Sequence, residues 1–232
     1  MPAHSTVFLF DVDNTLLDND AVIEELCRYL IQHVGQDAAD LYWEHFESLR
    51  KTLGYADYLG ALQRWRVEQP HDMRLLTVSR FLVNYPFDGK LFPQALEAVH
   101  HVRQWGLPVV LSDGDVVFQP VKIYRAGLCE AFEDRVLVYI HKDKELQDVE
   151  RHYPALHYVL IDDKLSILSA VKDLWGSRVT TVHVKQGHYN HEPSHAYPPA
   201  DITLAHIWDL LTCTREDLMR PRERDVTPSQ AG

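Results

Sequence analysis

The amino-acid sequence predicts an α/β fold in which helices cover both faces of a doubly wound, mainly parallel sheet. Six short apolar runs have the length of strands, and four of them are continuous, which is typical of parallel strands buried on both faces. Helix-like segments separate the runs from residue 93 onward, and this alternation indicates βαβ units. The runs are 7–10, 107–111, 136–140, 157–161, 178–184 and 202–204, and the intervening helices are 94–105, 143–152, 165–175 and 205–212.

Residues 18–90 predict a helical insertion between the first strand and the rest of the sheet. Apolar residues recur on one helix face from Val22 to Val34, as in an amphipathic helix. Glu24 and Glu25 fall in its first turn, where the helix dipole favours acids. We therefore expect a core of residues 1–17 and 91–214, a helical unit of residues 18–90 and a frayed tail of residues 215–232. The other expected helices of the insertion are 38–53, 55–67 and 73–85.

Composition and charge exclude several classes of protein. The chain has 232 residues, of which 46% are hydrophobic, enough for one α/β domain with an insertion or for two small domains. A formal net charge of −11 argues against non-specific binding of nucleic acid or of an anionic membrane. Cys27, Cys129 and Cys213 are widely spaced among apolar residues, which indicates reduced core side chains. With no signal-peptide pattern and no membrane-spanning apolar stretch, we expect a cytoplasmic protein. The sequence does not indicate the oligomeric state.

Polar side chains follow four of the predicted strands. Asp11 and Asp13 follow the first strand, and in an extended chain both point the same way because they are two residues apart. Ligands of an open parallel sheet bind outside the carboxyl ends of the strands, so we expect these groups to share one site. The other strand ends carry Ser112-Asp113-Gly114-Asp115, His141-Lys142-Asp143-Lys144 and Asp162-Asp163-Lys164.

The residues alone leave the role of the acidic pairs open. Ionised carboxylates at a buried strand end require a compensating cation or a reaction. Asp11 and Asp13 could therefore share a divalent cation, or supply a nucleophile beside an acid/base group. The structural alternative is a turn, since Asp and Asn are ordinary turn residues. In the same way, Asp162 and Asp163 could cap a helix, and Asp115 is expected to be structural.

The order of these motifs resembles that of the haloacid dehalogenase (HAD) superfamily. An Asp-x-Asp-x-Thr motif begins at Asp11, and it is followed in order by Ser112, a lysine and an apolar strand that ends in Asp162-Asp163. The resemblance extends from residue 7 to about residue 205, and its first and last motifs are the specific ones. It implies a Rossmann-like core, a mobile helical cap at the position of the insertion, and hydrolysis of phosphate monoesters.

The resemblance implies a role for each matching residue. Asp11 would be the nucleophile that forms an aspartyl-phosphate. Asp13 would protonate the leaving group and then activate the hydrolytic water. Ser112 and Lys142 would bind the transferring phosphoryl group, with Lys144 as the alternative lysine because helix boundaries are uncertain by a few residues.

The resemblance also implies a Mg²⁺ site. Many members carry a further Asp or Asn four residues past the acidic motif, where this chain has Ser166 and Ile167. The consecutive acidic pair must then supply the acidic side of the site, and Asp163 is expected to be the direct ligand. The ligands would be the carboxylate of Asp11, the main-chain carbonyl of Asp13, and Asp162 and Asp163, since Mg²⁺ prefers oxygen ligands.

Two further groups are candidate substrate contacts. Backbone N–H groups around Asp113 and Gly114 could donate to the phosphate. The loop of residues 186–199 carries His188 and Tyr189, which are plausible contacts if the loop borders the site. A histidine-rich tract can also bind a transition metal, but the spacing here matches no defined zinc pattern. The histidines of this region are His183, His188, His191 and His195.

The sequence thus predicts a Mg²⁺-dependent phosphomonoester hydrolase that acts on a small phosphorylated substrate. One alternative is another chemistry of the same superfamily, either a sugar-phosphate mutase or a dehalogenase. Asp13 argues against dehalogenation, which needs no leaving-group acid at that position. The other alternative is a non-catalytic protein that binds a phosphorylated ligand. The substrate itself, and the cap residues that contact it, are not determined by the sequence.

Overall fold

The computed structural model describes residues 4–188 and 197–221, and a six-stranded parallel sheet forms its centre. The strands are β1 (His4–Phe10), β2 (Leu107–Asp113), β3 (Val136–Tyr139), β4 (Ala155–Asp162), β5 (Val179–Val184) and β6 (Ile202–Leu204). Their order across the sheet is β3-β2-β1-β4-β5-β6. β1 therefore lies between β2 and β4, where the direction of the chain across the sheet reverses. The predicted doubly wound α/β class is confirmed.

Helices cover both faces of the sheet. Alternate side chains of β1 enter two separate cores, because successive residues of a strand point to opposite faces. Phe8 and Phe10 pack into the core on one face, and Val7 and Leu9 pack into the core on the other face. The helices of the described residues are α1 (Asn19–Val34), α2 (Gln36–Leu53), α3 (Tyr58–Glu68), α4 (Arg74–Asn84), α5 (Ala95–Val102), α6 (Phe118–Arg125), α7 (Leu128–Ala131), α8 (Leu146–His152), α9 (Leu165–Trp175) and α10 (Arg215–Leu218).

Helices α1 to α4 form the helical insertion between β1 and α5. Their apolar faces are buried: Leu26 and Leu30 of α1 and Trp65 of α3 are at most 1% exposed. The side chain of Asp18 accepts a hydrogen bond from the N–H of Ala21 and caps the start of α1. The helical character that the sequence predicts for residues 18–90 is therefore present. The domain boundaries themselves stay a prediction.

The main difference from the sequence prediction is α6, which the apolar periodicity does not reveal. Its buried residues include Gln119 and Lys122 beside Phe118 and Ile123, so two polar side chains interrupt the expected apolar face. The carboxylate of Asp115 accepts hydrogen bonds from two backbone N–H groups at the start of this helix. These two bonds give Asp115 a structural role, as the sequence predicts. In addition, the helix expected at residues 205–212 is a 3₁₀ segment, Ile207–Thr212.

The expectation of a frayed tail from residue 215 is wrong for its described part. Residues Arg215–Leu218 form α10, and a reciprocal capping box between Thr214 and Asp217 satisfies the first backbone N–H groups. The side chain of Leu218 is fully buried in the main core, and its burial anchors the segment. Residues 222–232 lie outside the described residues. Within 4–188 and 197–221, no helix has the length and apolar character to cross a membrane.

Candidate active site

Three carboxylates meet where β1 and β4 end. The N–H of Asp11 bonds to the carbonyl of Ile161 at 2.9 Å, which extends the pairing of the two strands by one residue. Asp11 thereby comes to lie beside Asp162 at the end of β4 and Asp163 just after it. One carboxylate oxygen from each of the three residues lies within 4.8 Å of the others, and all three residues are buried. The structure therefore brings together three of the predicted metal ligands.

Lys142 is the lysine that reaches this acidic cluster. Its Nζ atom lies 2.5 Å from Oδ1 of Asp11 and 2.6 Å from Oδ2 of Asp162, and the side chain is 1% exposed. Burial disfavours the ammonium group, but the carboxylates of Asp11, Asp162 and Asp113 outweigh this effect and raise the pKa of Lys142 well above its usual value. Lys144 is exposed and lines a surface depression beside α8 and α9. The geometry favours Lys142, and Lys144 was the alternative from the sequence.

The loop after β1 fixes the orientation of Asp11. The N–H groups of Leu16 and Leu17 both bond to the carbonyl of Val12 at 2.9 Å, which closes a tight turn. Asn14 takes a left-handed conformation within it, with φ of 59°, a conformation that Asn tolerates better than most residues. This turn brings the hydroxyl of Thr15 to 3.2 Å from Oδ2 of Asp11. The spacing of the Asp-x-Asp-x-Thr motif thus serves to hold the first carboxylate.

Asp163 has the properties of a cation ligand. Both of its carboxylate oxygens are buried and lack a hydrogen-bond partner in the described residues. Burial raises the pKa of Asp163 well above its usual value, and the neighbouring charges of Asp162 and Asp11 add to the effect. Burial likewise raises the pKa of Asp162 to about 6, against the opposing effect of Lys142. Such unsatisfied carboxylates fit a hard divalent cation, which takes oxygen ligands.

The carboxylate of Asp13 points away from the acidic cluster, toward α6. Both of its oxygens accept hydrogen bonds from Nζ of Lys122, at 2.8 and 2.9 Å. The lysine side chain is fully buried, whereas that of Asp13 is 25% exposed. The two aspartates of the first motif therefore have different partners, since Asp11 is bound by Lys142. The apolar pattern of the sequence does not reveal Lys122, and the cap at Asp115 is the signal that could have revealed its helix.

The residues that follow β2 also have separate roles. Oγ of Ser112 is buried and accepts a hydrogen bond of 2.9 Å from the amide of Gln119, a second α6 residue that the sequence pattern does not reveal. Oδ1 of Asp113 accepts the backbone N–H of Lys142 at 2.7 Å. The Asp113 side chain thus supports the lysine, and burial raises its pKa. Gly114 has no room for a side chain, because a Cβ atom there would lie 2.7 Å from Cβ of Gln119.

A cavity of about 270 Å³ separates Asp13 from the helical insertion. The insertion contributes aromatic and apolar groups to its wall, together with one ion pair between Arg50 and Glu47 at 2.9 Å. Asn14, Lys164 and His188 complete the wall on the core side. The structure thus identifies which of the insertion's aromatic residues face the site. The insertion residues that line the cavity are Asn19, Ile23, Cys27, Trp43, Phe46, Glu47, Arg50, Gly54, Tyr55, Ala56 and Tyr58.

The histidines of the 183–195 region do not form a common cluster in the described residues. His183 is buried, its ring nitrogen lies 3.0 Å from the carbonyl of Asp163, and burial lowers its pKa. His188 instead lies at the cavity, where its ring contacts the carboxylate of Asp20 at 2.6 Å. The expectation that His188 contacts the substrate stays a prediction. The predictions for Tyr189, His191 and His195 fall outside the described residues.

Comparisons with known proteins give a consistent family match. Residues 6–152 match the model of the haloacid dehalogenase-like hydrolases. The chain is similar to the crystal structure of a haloacid dehalogenase-like hydrolase from Burkholderia xenovorans LB400, with 54% identity and a TM-score of 0.88. That match covers 91% of this chain and 99% of the other chain. A comparison with curated proteins finds no match.

More distant structures share the fold. One is L-2-haloacid dehalogenase from Xanthobacter autotrophicus with covalently bound chloropropionic acid, at 14% identity and a TM-score of 0.62 over 90% of this chain and 97% of that chain. Another is the hydrolase YfnB from Bacillus subtilis bound to magnesium, at 16% identity and a TM-score of 0.61. That match covers 91% of this chain and 100% of the YfnB chain. At such low identity these likenesses show the fold alone.

Proposed function

The chain belongs to the haloacid dehalogenase-like hydrolase family, and within this family we propose that it is a Mg²⁺-dependent phosphomonoester hydrolase. One observation carries the proposal. Asp13 offers a second carboxylate, held apart from the acidic cluster of Asp11 and facing the cavity below the helical insertion. A phosphate ester needs a proton donor for its leaving oxygen, whereas displacement of a halide does not. The substrate is a small phosphorylated metabolite, and the location is the cytoplasm, where free cysteines such as Cys27 stay reduced.

The proposed reaction has two steps. A carboxylate oxygen of Asp11 attacks phosphorus, so that an Asp–O–P bond forms while the bond from phosphorus to the leaving oxygen breaks. Asp13 gives its proton to that oxygen, and the alcohol leaves. Asp13 then takes a proton from a water molecule, which attacks phosphorus and releases phosphate as the Asp–O–P bond breaks. Lys142 lies beside Asp11, and Ser112 is buried at the end of β2 in contact with Gln119. Both would donate to the phosphoryl oxygens.

The acidic cluster would hold the cation. Asp11, Asp162 and Asp163 supply the carboxylates, and the family resemblance adds the main-chain carbonyl of Asp13. The unpartnered oxygens of Asp163 support this assignment. When bound, Mg²⁺ lowers the negative charge between the anionic nucleophile and the anionic phosphate. YfnB, which has the same fold, is bound to magnesium.

The cavity limits the leaving group. Its volume of about 270 Å³ lies just below the roughly 300 Å³ at which ligand pockets usually begin, so the alcohol part of the substrate is small. Trp43, Phe46 and Tyr55 give it an apolar, aromatic wall, and flat or apolar groups pack well against such rings. The insertion would exclude water from the reacting groups once the substrate is bound.

A substrate panel tests the proposed function. Purified protein is incubated with alkyl and aryl phosphates in the presence of Mg²⁺ or EDTA, and released phosphate is measured. We expect Mg²⁺-dependent release that is absent in the D11N variant. The same samples are given L-2-chloropropionate, and release of chloride without release of phosphate would replace the proposal by dehalogenation. Isomerisation of a sugar phosphate without free phosphate would indicate a mutase, and binding without turnover would indicate a non-catalytic protein.

A further inference from the structure

We propose that Lys122 is a positioning residue that holds the carboxylate of Asp13 toward the leaving group and links its orientation to the helical insertion. This inference rests on the proposed phosphatase function. Nζ of Lys122 lies 2.8 and 2.9 Å from the two oxygens of Asp13, and 3.0 Å from Oδ1 of Asn19, the first residue of α1. One ammonium group therefore contacts both the core acid and the insertion.

The ammonium group of Lys122 is enclosed by protein. The side chain is fully buried, and Nζ lies 5.7 Å from the ring centres of Tyr58 and Phe118. Three hydrogen bonds satisfy its three donors, which is the complete capacity of a lysine. Because all three N–H directions are used, rotation of the ammonium is restricted. The two bonds to Asp13 then restrict rotation of the carboxylate.

A purely structural ion pair elsewhere in the protein shows what is unusual at Lys122. Lys172 is also buried, and its Nζ lies 2.8 and 3.0 Å from the carboxylate of Asp201. Both of these partners are buried, with side chains 3% and 4% exposed, and Asp201 accepts two further hydrogen bonds from Thr181. In the pair of Lys122 and Asp13 the lysine is fully buried, but the side chain of Asp13 is 25% exposed and lines the cavity. The buried charge thus supports a carboxylate that stays accessible to a ligand.

Helix α6 extends this support to the phosphate side of the site. Gln119 lies one turn before Lys122, so both side chains leave the same face of the helix. Its amide donates to Oγ of Ser112 at 2.9 Å and lies 3.5 Å from Oδ2 of Asp13. Asn19 contacts the hydroxyl of Tyr58 at 3.4 Å, which continues the network into α3. The acid is therefore held between α6 and two helices of the insertion.

The dependence of activity on the leaving group tests this role. Proton donation matters for alkyl phosphates, whose alcohols leave poorly as anions, but matters little for 2,4-dinitrophenyl phosphate. We expect K122M to lower kcat/KM for alkyl phosphates about 100-fold and for 2,4-dinitrophenyl phosphate less than about threefold, since a positioned acid contributes roughly 10²- to 10⁴-fold. The matched control K172M removes an equally buried lysine with a carboxylate partner. It is expected to lower the melting temperature and to affect all substrates equally.

A weaker variant keeps the test decisive if K122M does not fold. N19A removes one of the three bonds to the ammonium and leaves the charge pair intact, so a selective loss of about tenfold for alkyl phosphates is expected. An equal loss for all leaving groups, or no loss, in a folded K122M or N19A would overturn the role of Lys122. The proposed function fails if the wild-type protein hydrolyses neither class of phosphate with Mg²⁺. The role of Lys122 alone fails if the wild-type protein is active but the variants show no selective loss, so the two failures are distinguishable.

Discussion

The Nζ atom of Lys142 lies 2.5 Å from Oδ1 of Asp11, although the two residues follow strands that are not neighbours in the sheet. Lys142 comes after β3 and Asp11 after β1, with β2 between them. The lysine side chain spans β2, and its Nζ passes 3.4 Å from the carbonyl of Leu111 on that strand. The site is thus held together across three strands by one buried charge.

Replacement of Asp11 by Asn is expected to abolish turnover and leave the fold intact. The amide is a poor nucleophile, so phosphate release should fall at least about a thousandfold. An Asn side chain still has an oxygen that can accept from Thr15, and Lys142 keeps Asp162 as its partner. Steady-state assays and thermal unfolding followed by circular dichroism check the two parts. A fully active D11N protein would contradict the assignment of the nucleophile.

The two candidate lysines are separated by a pair of matched substitutions. K142M removes the cation beside Asp11, and we expect a loss of at least about 100-fold in kcat, because electrostatic stabilisation of the transition state is lost. K144M changes an exposed side chain, and its activity should stay within about twofold of wild type. Each kcat is measured at saturating substrate. Comparable losses of kcat in K142M and K144M would contradict the assignment of Lys142 as the lysine that binds the phosphoryl group.

Replacement of Asp163 by Asn is expected to stabilise the metal-free protein while removing its response to Mg²⁺. The folded state raises the pKa of Asp163, so it binds the proton more tightly than the unfolded state does. The resulting stability is present at low pH and is lost as the pH rises through the folded-state pKa. In EDTA, the free energy of unfolding of D163N should therefore exceed that of the wild-type protein by about 1–2 kcal/mol at about pH 7.5. The difference should be smaller at about pH 4.

Urea unfolding at the two pH values measures this difference. Added Mg²⁺ should raise the midpoint of the wild-type protein and leave that of D163N nearly unchanged, because a ligand stabilises only the state that binds it. The Mg²⁺ response of D163N tests whether the Asp163 carboxylate binds the cation. The comparison of the two pH values tests whether the ionised carboxylate destabilises the metal-free protein. A D163N protein that is less stable than wild type in EDTA, or that responds equally to Mg²⁺, would be incompatible with a cation site at this residue.

Removal of the buried side chain of α10 tests its role in anchoring the C-terminal segment. Leu218 is fully buried, so L218A should lower the free energy of unfolding by about 2–4 kcal/mol through lost burial and the cavity that remains. The control E216A changes a side chain that is 69% exposed, and its effect should stay within about 0.5 kcal/mol. Denaturant unfolding of both variants is the measurement. Equal, small effects would support the frayed tail expected from the sequence.

The sequence alone determined the fold class and indicated where the candidate site lies. Continuous apolar runs identify buried parallel strands locally, and parallel strands place their carboxyl ends at one edge. For this reason the sequence predicts that Asp11, Ser112, Lys142 and Asp163 lie at one edge of the sheet. The order of the motifs also identified the family, which the comparisons confirm. The substrate class and the roles of the residues stay proposals.

Only the tertiary structure decided which side chains touch. The choice of Lys142 over Lys144 depends on which direction each side chain leaves a short 3₁₀ segment, Lys142–Lys144, and composition does not encode that direction. Lys122 was hidden for a related reason, because a buried lysine breaks the apolar pattern by which a helix is recognised. Its partner Asp13 lies 109 residues away in the chain. Contacts of this kind depend on how α6 packs against the loop after β1, and only the folded chain brings the two together.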